Sequence, residues 1–297
     1  MRLYAFIKNY GYSGELQMSR PFKSELVIEE KISEATLKAY HVGFDENKFR
    51  LKPLVDVLMR TIPEFTFGCH EGECIQLTDA WDKLREAARL VYTTDKYQRR
   101  GEFGEIILHL LLRDFCGTIP LISKIYFKDA RNSTVKGFDG IHVEINGDSK
   151  KLWLGESKLY TEGKRGVIDL ANDIKNHLEK DFLMSEFNLI SKKIPTNIPE
   201  RDYWITLMHK HYPLTELFTS VVVPCVCTYS SDLFENHKEA TKSYLKDFRT
   251  ECNGLKKVFD KTNVVTNFEV ILLLLPIPCK DELVTELDER LKRAQQI

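Results

Sequence analysis

The chain has 297 residues, 43% of them apolar and 29% charged, with 17 Phe, 12 Tyr and 3 Trp. This is the composition of a globular protein of one large domain or two modest ones, and it excludes disorder as the main state. The 43 basic residues are matched by 44 acidic ones, a formal charge of -1, so no global positive field draws the chain to nucleic acid or membrane and any such binding has to be local.

At the N-terminus, Met1-Arg2-Leu3-Tyr4-Ala5-Phe6-Ile7 is interrupted by Lys8 and Asn9 before it can make the apolar core of a signal peptide. Residues 1–96 are expected to form a smaller N-terminal α+β subdomain that serves as a partner interface or a support. Within it Leu26-Val27-Ile28 reads as extended, and 51–60 and 78–92 read as helices. Thr78 is placed to cap the second, with Trp81, Leu84, Ala88 and Val91 at helical spacing.

From residue 97 to 297 the periods are clearer. A helix is expected over 100–115, ending near Gly117, and its run Ile106-Ile107-Leu108-His109-Leu110-Leu111-Leu112 is apolar nearly all round, which predicts burial. Strands follow at 122–127, 137–143 and 152–158, the last two joined by the turn formers Asn146-Gly147-Asp148. Val167, Leu170, Ile174, Leu178 and Phe182 predict one long helix over 167–190. Two Val/Ile/Leu-rich strands, 219–228 and 268–275, flank a helical stretch at 232–259, and an amphipathic helix over 281–294 closes the domain. Helix, three strands, helix, strand, helix, strand, helix describes a mixed α/β domain: a strand meander leading into crossover connections. The longest strongly apolar stretch, Val270 to Leu275, is far short of the roughly 20 residues a membrane helix needs. The seven cysteines, Cys69, Cys74, Cys116, Cys225, Cys227, Cys252 and Cys279, lack the dense regular spacing of a secreted scaffold, so reduced thiols and a cytoplasmic location are expected.

Three acidic positions stand out in this layout. Glu105 falls on the buried helix, Asp139 in the second strand, and Glu156-Ser157-Lys158 at the end of the third. Strand residues two apart share a face, so Glu156 and Lys158 point with Leu152 and Leu154, and Asp139 with Ile141 and Val143. An unpaired carboxylate on an apolar face costs several kcal/mol. Pairing the two strands about the Asn146 turn brings Asp139 and Glu156 together, where they repel unless a cation lies between them. Mg2+, with Mn2+ as a possible substitute, suits such an oxygen site, and Lys158 is placed to orient or deprotonate an attacking water. Taken singly, an Asp-Gly is usually a turn and a Glu-x-Lys a surface pair; only the combination is specific.

Other polar groups read as structural. His109 is one helical turn from Glu105 but fits a satisfied core histidine better, Ser157 faces away from Glu156, and Cys225 and Cys227 alternate along a buried strand. Cys69-His70 with Cys74 lacks a second ligand pair for zinc. Between residues 120 and 170 there are nine basic residues (Lys124, Lys128, Arg131, Lys136, Lys150, Lys151, Lys158, Lys164, Arg165) against seven acidic ones. Lys164 and Arg165, in the loop before the long helix, are the best candidates to hold a DNA backbone, without base-specific readout.

Asp139 with Glu156-Ser157-Lys158, preceded by helical Glu105, resembles the PD-(D/E)xK nuclease signature, with Phe138 where the formal motif has Pro. That resemblance implies a restriction-endonuclease-like αβββαβ core, a mixed sheet flanked by helices. Three longer phrases, Arg99-Arg100-Gly101-Glu102-Phe103-Gly104-Glu105, Lys136-Gly137-Phe138-Asp139-Gly140 and Trp153-Leu154-Gly155-Glu156-Ser157-Lys158, resemble the HamA family of Hachiman anti-phage defence, most strongly over residues 97–190. The resemblance implies a Mg2+-dependent deoxyribonuclease that cleaves phosphodiesters with metal-activated water and is controlled by a HamB-like helicase. It implies Asp139 and Glu156 as metal ligands, Lys158 as catalytic lysine, and Glu105 as the helix acid that helps hold the metal, with Glu102 the competing choice. Two other readings stay open: a catalytically inactive nuclease fold that docks a helicase or holds DNA, and a stand-alone restriction-type endonuclease.

Overall fold

The runs Val221-Val222-Val223 and Ile271-Leu272-Leu273-Leu274-Leu275 are buried on both sides, which only a central strand between two layers allows. The structure, a computed structural model, describes residues 20, 22–72, 77–91, 101–123, 137–262, 264 and 266–296. Among these, seven strands make one mixed sheet: β1 (Glu29–Glu34), β2 (Leu37–His41), β5 (Ile119–Ser123), β6 (Gly140–Asn146), β7 (Ser149–Glu162), β8 (Val221–Ser230) and β9 (Glu269–Ile277). A small separate hairpin pairs β3 (Phe44–Asp45) with β4 (Lys48–Phe49). The order across the large sheet is β1-β2-β9-β8-β7-β6-β5. β5, β6 and β7 form the antiparallel meander, β7, β8 and β9 are parallel, and β2 joins β9 in parallel.

Period-two alternation divides the side chains of these strands between two apolar layers. Cys225, Cys227, Leu272 and Leu274 face one, with helices α4 (Gly163–His177), α5 (Lys180–Ser191), α6 (Arg201–Leu207), α7 (Leu214–Ser220), α8 (Leu233–Asn236) and α9 (Lys242–Lys261). Val222, Val226, Leu273 and Leu275 face the other, with α1 (Leu51–Gly72), α2 (Ala80–Val91), α3 (Glu102–Phe115) and α10 (Lys280–Ala294).

Several expectations change. The boundary near residue 97 does not divide the sheet or the core, because β2 pairs with β9 (Leu37 opposite Leu272) and α1 and α2 share the apolar layer of α3 and α10. Ser24–Leu26 is a 3-10 turn, and the strand begins at Glu29. The α2 helix buries Ala87, Ala88 and Val91 and leaves Trp81 64% exposed, so Trp81 does not belong to the apolar face. The long helix over 167–190 is two, α4 and α5, broken at Leu178 and Glu179, and the stretch 232–259 is likewise α8 and α9. Thr241 caps α9 by accepting from the Tyr244 amide at 3.2 Å. Residues 219 and 220 end α7, so β8 starts at Val221. The strand expected over 122–127 starts earlier, at Ile119, and residues 124–127 lie outside the described set. No helix among the described residues is long and apolar enough to cross a membrane. Cys116, Cys225, Cys227, Cys252 and Cys279 carry free thiols. The side chains of Cys69, His70 and Cys74 lie outside the described residues.

Candidate active site

Three glycines bring the helix with Glu105 tight against the strand with Glu156. Gly140 and Gly155 are opposite each other on β6 and β7, and a Cβ at either would meet the Leu108 side chain of α3, at 3.1 and 2.9 Å. From the helix side, a Cβ at Gly104 would come 3.1 Å from Ser157 Oγ. Glu105, in the first turn of α3, is buried, whereas Glu102 is half-buried.

The hairpin register sets the acids. Its last pair, Gly140 with Gly155, puts Asp139 and Glu156 each one residue beyond the paired ladder. Asp139 precedes β6 and does not lie within it; its amide donates to the Gly155 carbonyl at 2.9 Å. The Asp139 carboxylate, 7% exposed, accepts at Oδ2 from the Ser157 amide at 2.9 Å and from the Ser157 hydroxyl at 2.8 Å. Ser157 therefore holds one of the acids, a role its opposite facing on β7 concealed.

Glu156 is 2% exposed and faces α4, where His177 Nδ1 lies 2.5 Å from its Oε1. Lys158, two residues on, pairs with Asp173 of the same helix. Burial pulls the Lys158 ammonium down, but Asp173, Glu156 and Asp139 outweigh it and hold it above its usual range. Burial likewise opposes charge on His177, and Glu156, with Asp173 and Asp139 behind it, raises the imidazole above its usual value. The His177 ring stacks on Phe182 at 4.6 Å and meets the edge of Phe138 at 5.4 Å.

The donor set consists of two neighbouring buried carboxylates, with Lys158 and His177 offsetting their charge. Among the described residues no group of three or more His, Cys, Asp or Glu is placed to hold a metal, so Glu105, Asp139 and Glu156 do not form a closed cage. Two carboxylates fit Mg2+, which takes one or two from the protein and fills the rest of its shell with water and substrate phosphate.

Lys164 and Arg165 belong to the first turn of α4 and not to a loop before it. Both are exposed at the end of β7, with the Arg165 guanidinium 5.9 Å from the Tyr160 ring centre. Lys124, Lys128, Arg131 and Lys136 lie outside the described residues.

His109 is a core histidine. It sits 3.3 Å from Glu64 of α1, which Arg113 also approaches at 3.3 Å, and its ring is 5.0 Å from that of His142. Burial opposes charge on Glu64, yet His109 and Arg113 hold its carboxyl below the usual range. His142 is enclosed, with Nδ1 2.8 Å from Thr118 Oγ1, and burial, with His109 and Arg113 nearby, holds it well below its ordinary 6.5. The folded protein thus keeps His142 neutral while the unfolded chain takes a proton. Its contribution to stability is complete above the unfolded value and falls by up to about 1.4 kcal/mol per pH unit below it. Thermal melting from about pH 7 to about pH 5 should therefore fall less steeply in His142→Gln than in the wild type; parallel curves would contradict this.

The chain is a mixed α/β protein in which a seven-stranded sheet carries buried Asp139 and Glu156 close to the Lys158–Asp173 pair. The HamA family model matches residues 20–291, and the chain belongs to the HamA family, which assigns it to Hachiman anti-phage defence. No curated protein matches the chain in sequence.

Proposed function

We propose that the chain is the metal-dependent DNA nuclease of its defence system, controlled by a HamB-like helicase. The observation that carries this reading is the Asp139 carboxylate held by Ser157, the residue between Glu156 and Lys158 on β7, with α3 packed against that strand. The succession α3, β5, β6, β7, α4, β8 supports a PD-(D/E)xK core, since it repeats the αβββαβ order with an antiparallel meander and a parallel crossover. Asp139 and Glu156 would hold Mg2+ or Mn2+, and Glu105 of α3, on the Ser157 side of β7, would be the helix acid. The bound cation would supply Lewis-acid polarisation of the scissile phosphate and a water nucleophile active at neutral pH.

The chain's own residues do the remaining work. Ser157 fixes the Asp139 carboxylate through two hydrogen bonds. Lys158, kept charged by its neighbours, offsets the negative charge that builds on the phosphate. Lys164 and Arg165, in the first turn of α4 at the other end of that helix from His177, would hold the DNA backbone away from the reacting phosphate. A net charge of -1 gives weak intrinsic affinity for DNA, so delivery falls to a DNA-translocating partner. The test is incubation of the protein, alone and with its helicase, with plasmid and linear DNA. Cleavage that requires Mg2+ is expected; cleavage indifferent to chelation would refute the reading.

A further inference from the structure

We propose that α4 supplies two positioning residues to this site, Asp173 and His177, which set the reach of Lys158 and the orientation of Glu156. The inference rests on the nuclease reading above and adds to it a helix that the Asp and Glu-x-Lys motif does not include.

The geometry is a match of two periods. Glu156 and Lys158, two apart on a strand, are separated by about 6.6 Å along β7. Asp173 and His177, four apart on a helix, are separated by about 6 Å on one face of α4. Each helix residue therefore meets one strand residue: His177 Nδ1 lies 2.5 Å from Glu156 Oε1, and Asp173 pairs with Lys158. Two simultaneous contacts of this kind require α4 to hold its position along its axis, and its packing does that. Val167, Leu170, Ala171 and Ile174 are fully buried against the sheet. A Cβ at Gly166 would come 2.6 Å from Cys227 Sγ, so the helix has no room to shift toward β8 there. Beyond the end of α4, Phe182 stacks on the His177 ring in parallel, and Phe138, next to Asp139, meets the same ring in a T-shaped contact. The imidazole has little freedom to turn.

A buried carboxylate with a fixed donor has one preferred orientation, and groups that hold ligands in this way typically change metal affinity by about 10–100-fold when removed. Asp173 acts on the other member of the pair. It holds the Lys158 ammonium at a fixed extension, so its loss should affect turnover and leave DNA binding alone.

The test is isothermal titration of Mg2+ into the full chain, combined with cleavage kinetics in the presence of the helicase. His177→Ala should weaken Mg2+ binding about 10-fold or more. His177→Asn, whose side-chain amide puts an N–H near the position of Nδ1, should recover most of the loss. Asp173→Ala should lower kcat with KM for DNA unchanged. Should His177→Ala fail to fold, His177→Asn and Phe182→Leu carry the comparison, the latter weakening Mg2+ binding in the same direction. Glu156→Gln is the control. If it abolishes Mg2+ binding while His177→Ala binds as the wild type does, the positioning role is overturned and the nuclease reading stands. An Asn variant no better than Ala also overturns it. Wild-type Mg2+ heat that survives Glu156→Gln overturns both.

Discussion

Replacing Lys158 with Ala should lower DNA cleavage by about 10²–10³-fold, the loss expected when one fixed donor to developing transition-state charge is removed. The side chain is half-buried on β7 beside Asp173, with Glu156 and Asp139 near enough to raise its pKa. It pairs with Asp173 and feels the charge of Glu156 and Asp139. Its removal takes positive charge away from the proposed metal ligands, so Mg2+ binding should be retained or tightened. Loss of turnover with retained metal binding is a signature that misfolding does not give, because misfolding removes both. Lys158→Arg should not restore full activity, since a planar guanidinium engages Asp173 with a different geometry from a point ammonium. Undiminished cleavage in Lys158→Ala would remove the lysine from the chemistry.

The largest effect on stability should come from Trp204→Ala. The indole is 0% exposed in the apolar layer under α6, its Nε1 donates to the Pro199 carbonyl at 2.9 Å, and the Tyr203 ring meets it at 4.9 Å. Truncation removes the transfer energy of a large aromatic, leaves a cavity and frees a carbonyl, a loss of about 3–5 kcal/mol. Equilibrium urea unfolding should show this as a lower midpoint with an unchanged slope. A loss below about 1 kcal/mol would mean that residues 192–220 are not docked on the sheet as described.

Trp204 also marks where local sequence signals end. The α6 and α7 helices have seven residues each, too short for an apolar face to repeat, and Pro195, Pro199 and Pro213 punctuate the segment. The break between α4 and α5 is hidden for the opposite reason. Leu170, Ile174, Leu178 and Phe182 keep helical spacing straight across it, so the period shows no interruption where the chain has one. The pairing of β2 with β9 joins residues more than 200 positions apart and leaves no local trace, which is why the N-terminal residues read as a separate unit.

The candidate site divides in the same way. Glu156 and Lys158 are legible because charges placed with period two on an apolar strand face are anomalous by themselves, and the Asn146 turn brings Asp139, just outside β6, to the same end of the hairpin. Lys164 and Arg165 were legible as charges, but their place within α4 was not. Ser157, Asp173 and His177 carried no such signal. A serine on the other strand face and two polar residues on an amphipathic helix look like ordinary solvent-side choices until the tertiary fold places them against Asp139, Lys158 and Glu156.

The measurement that bears most directly on the proposed metal site is anomalous diffraction from crystals of the full chain grown with Mn2+. The account predicts one strong peak between the carboxylates of Asp139 and Glu156, within about 2.2 Å of an oxygen of each, absent from Asp139→Asn crystals. Ordered crystals with no peak there, or with a peak elsewhere that ignores Asp139, would contradict it.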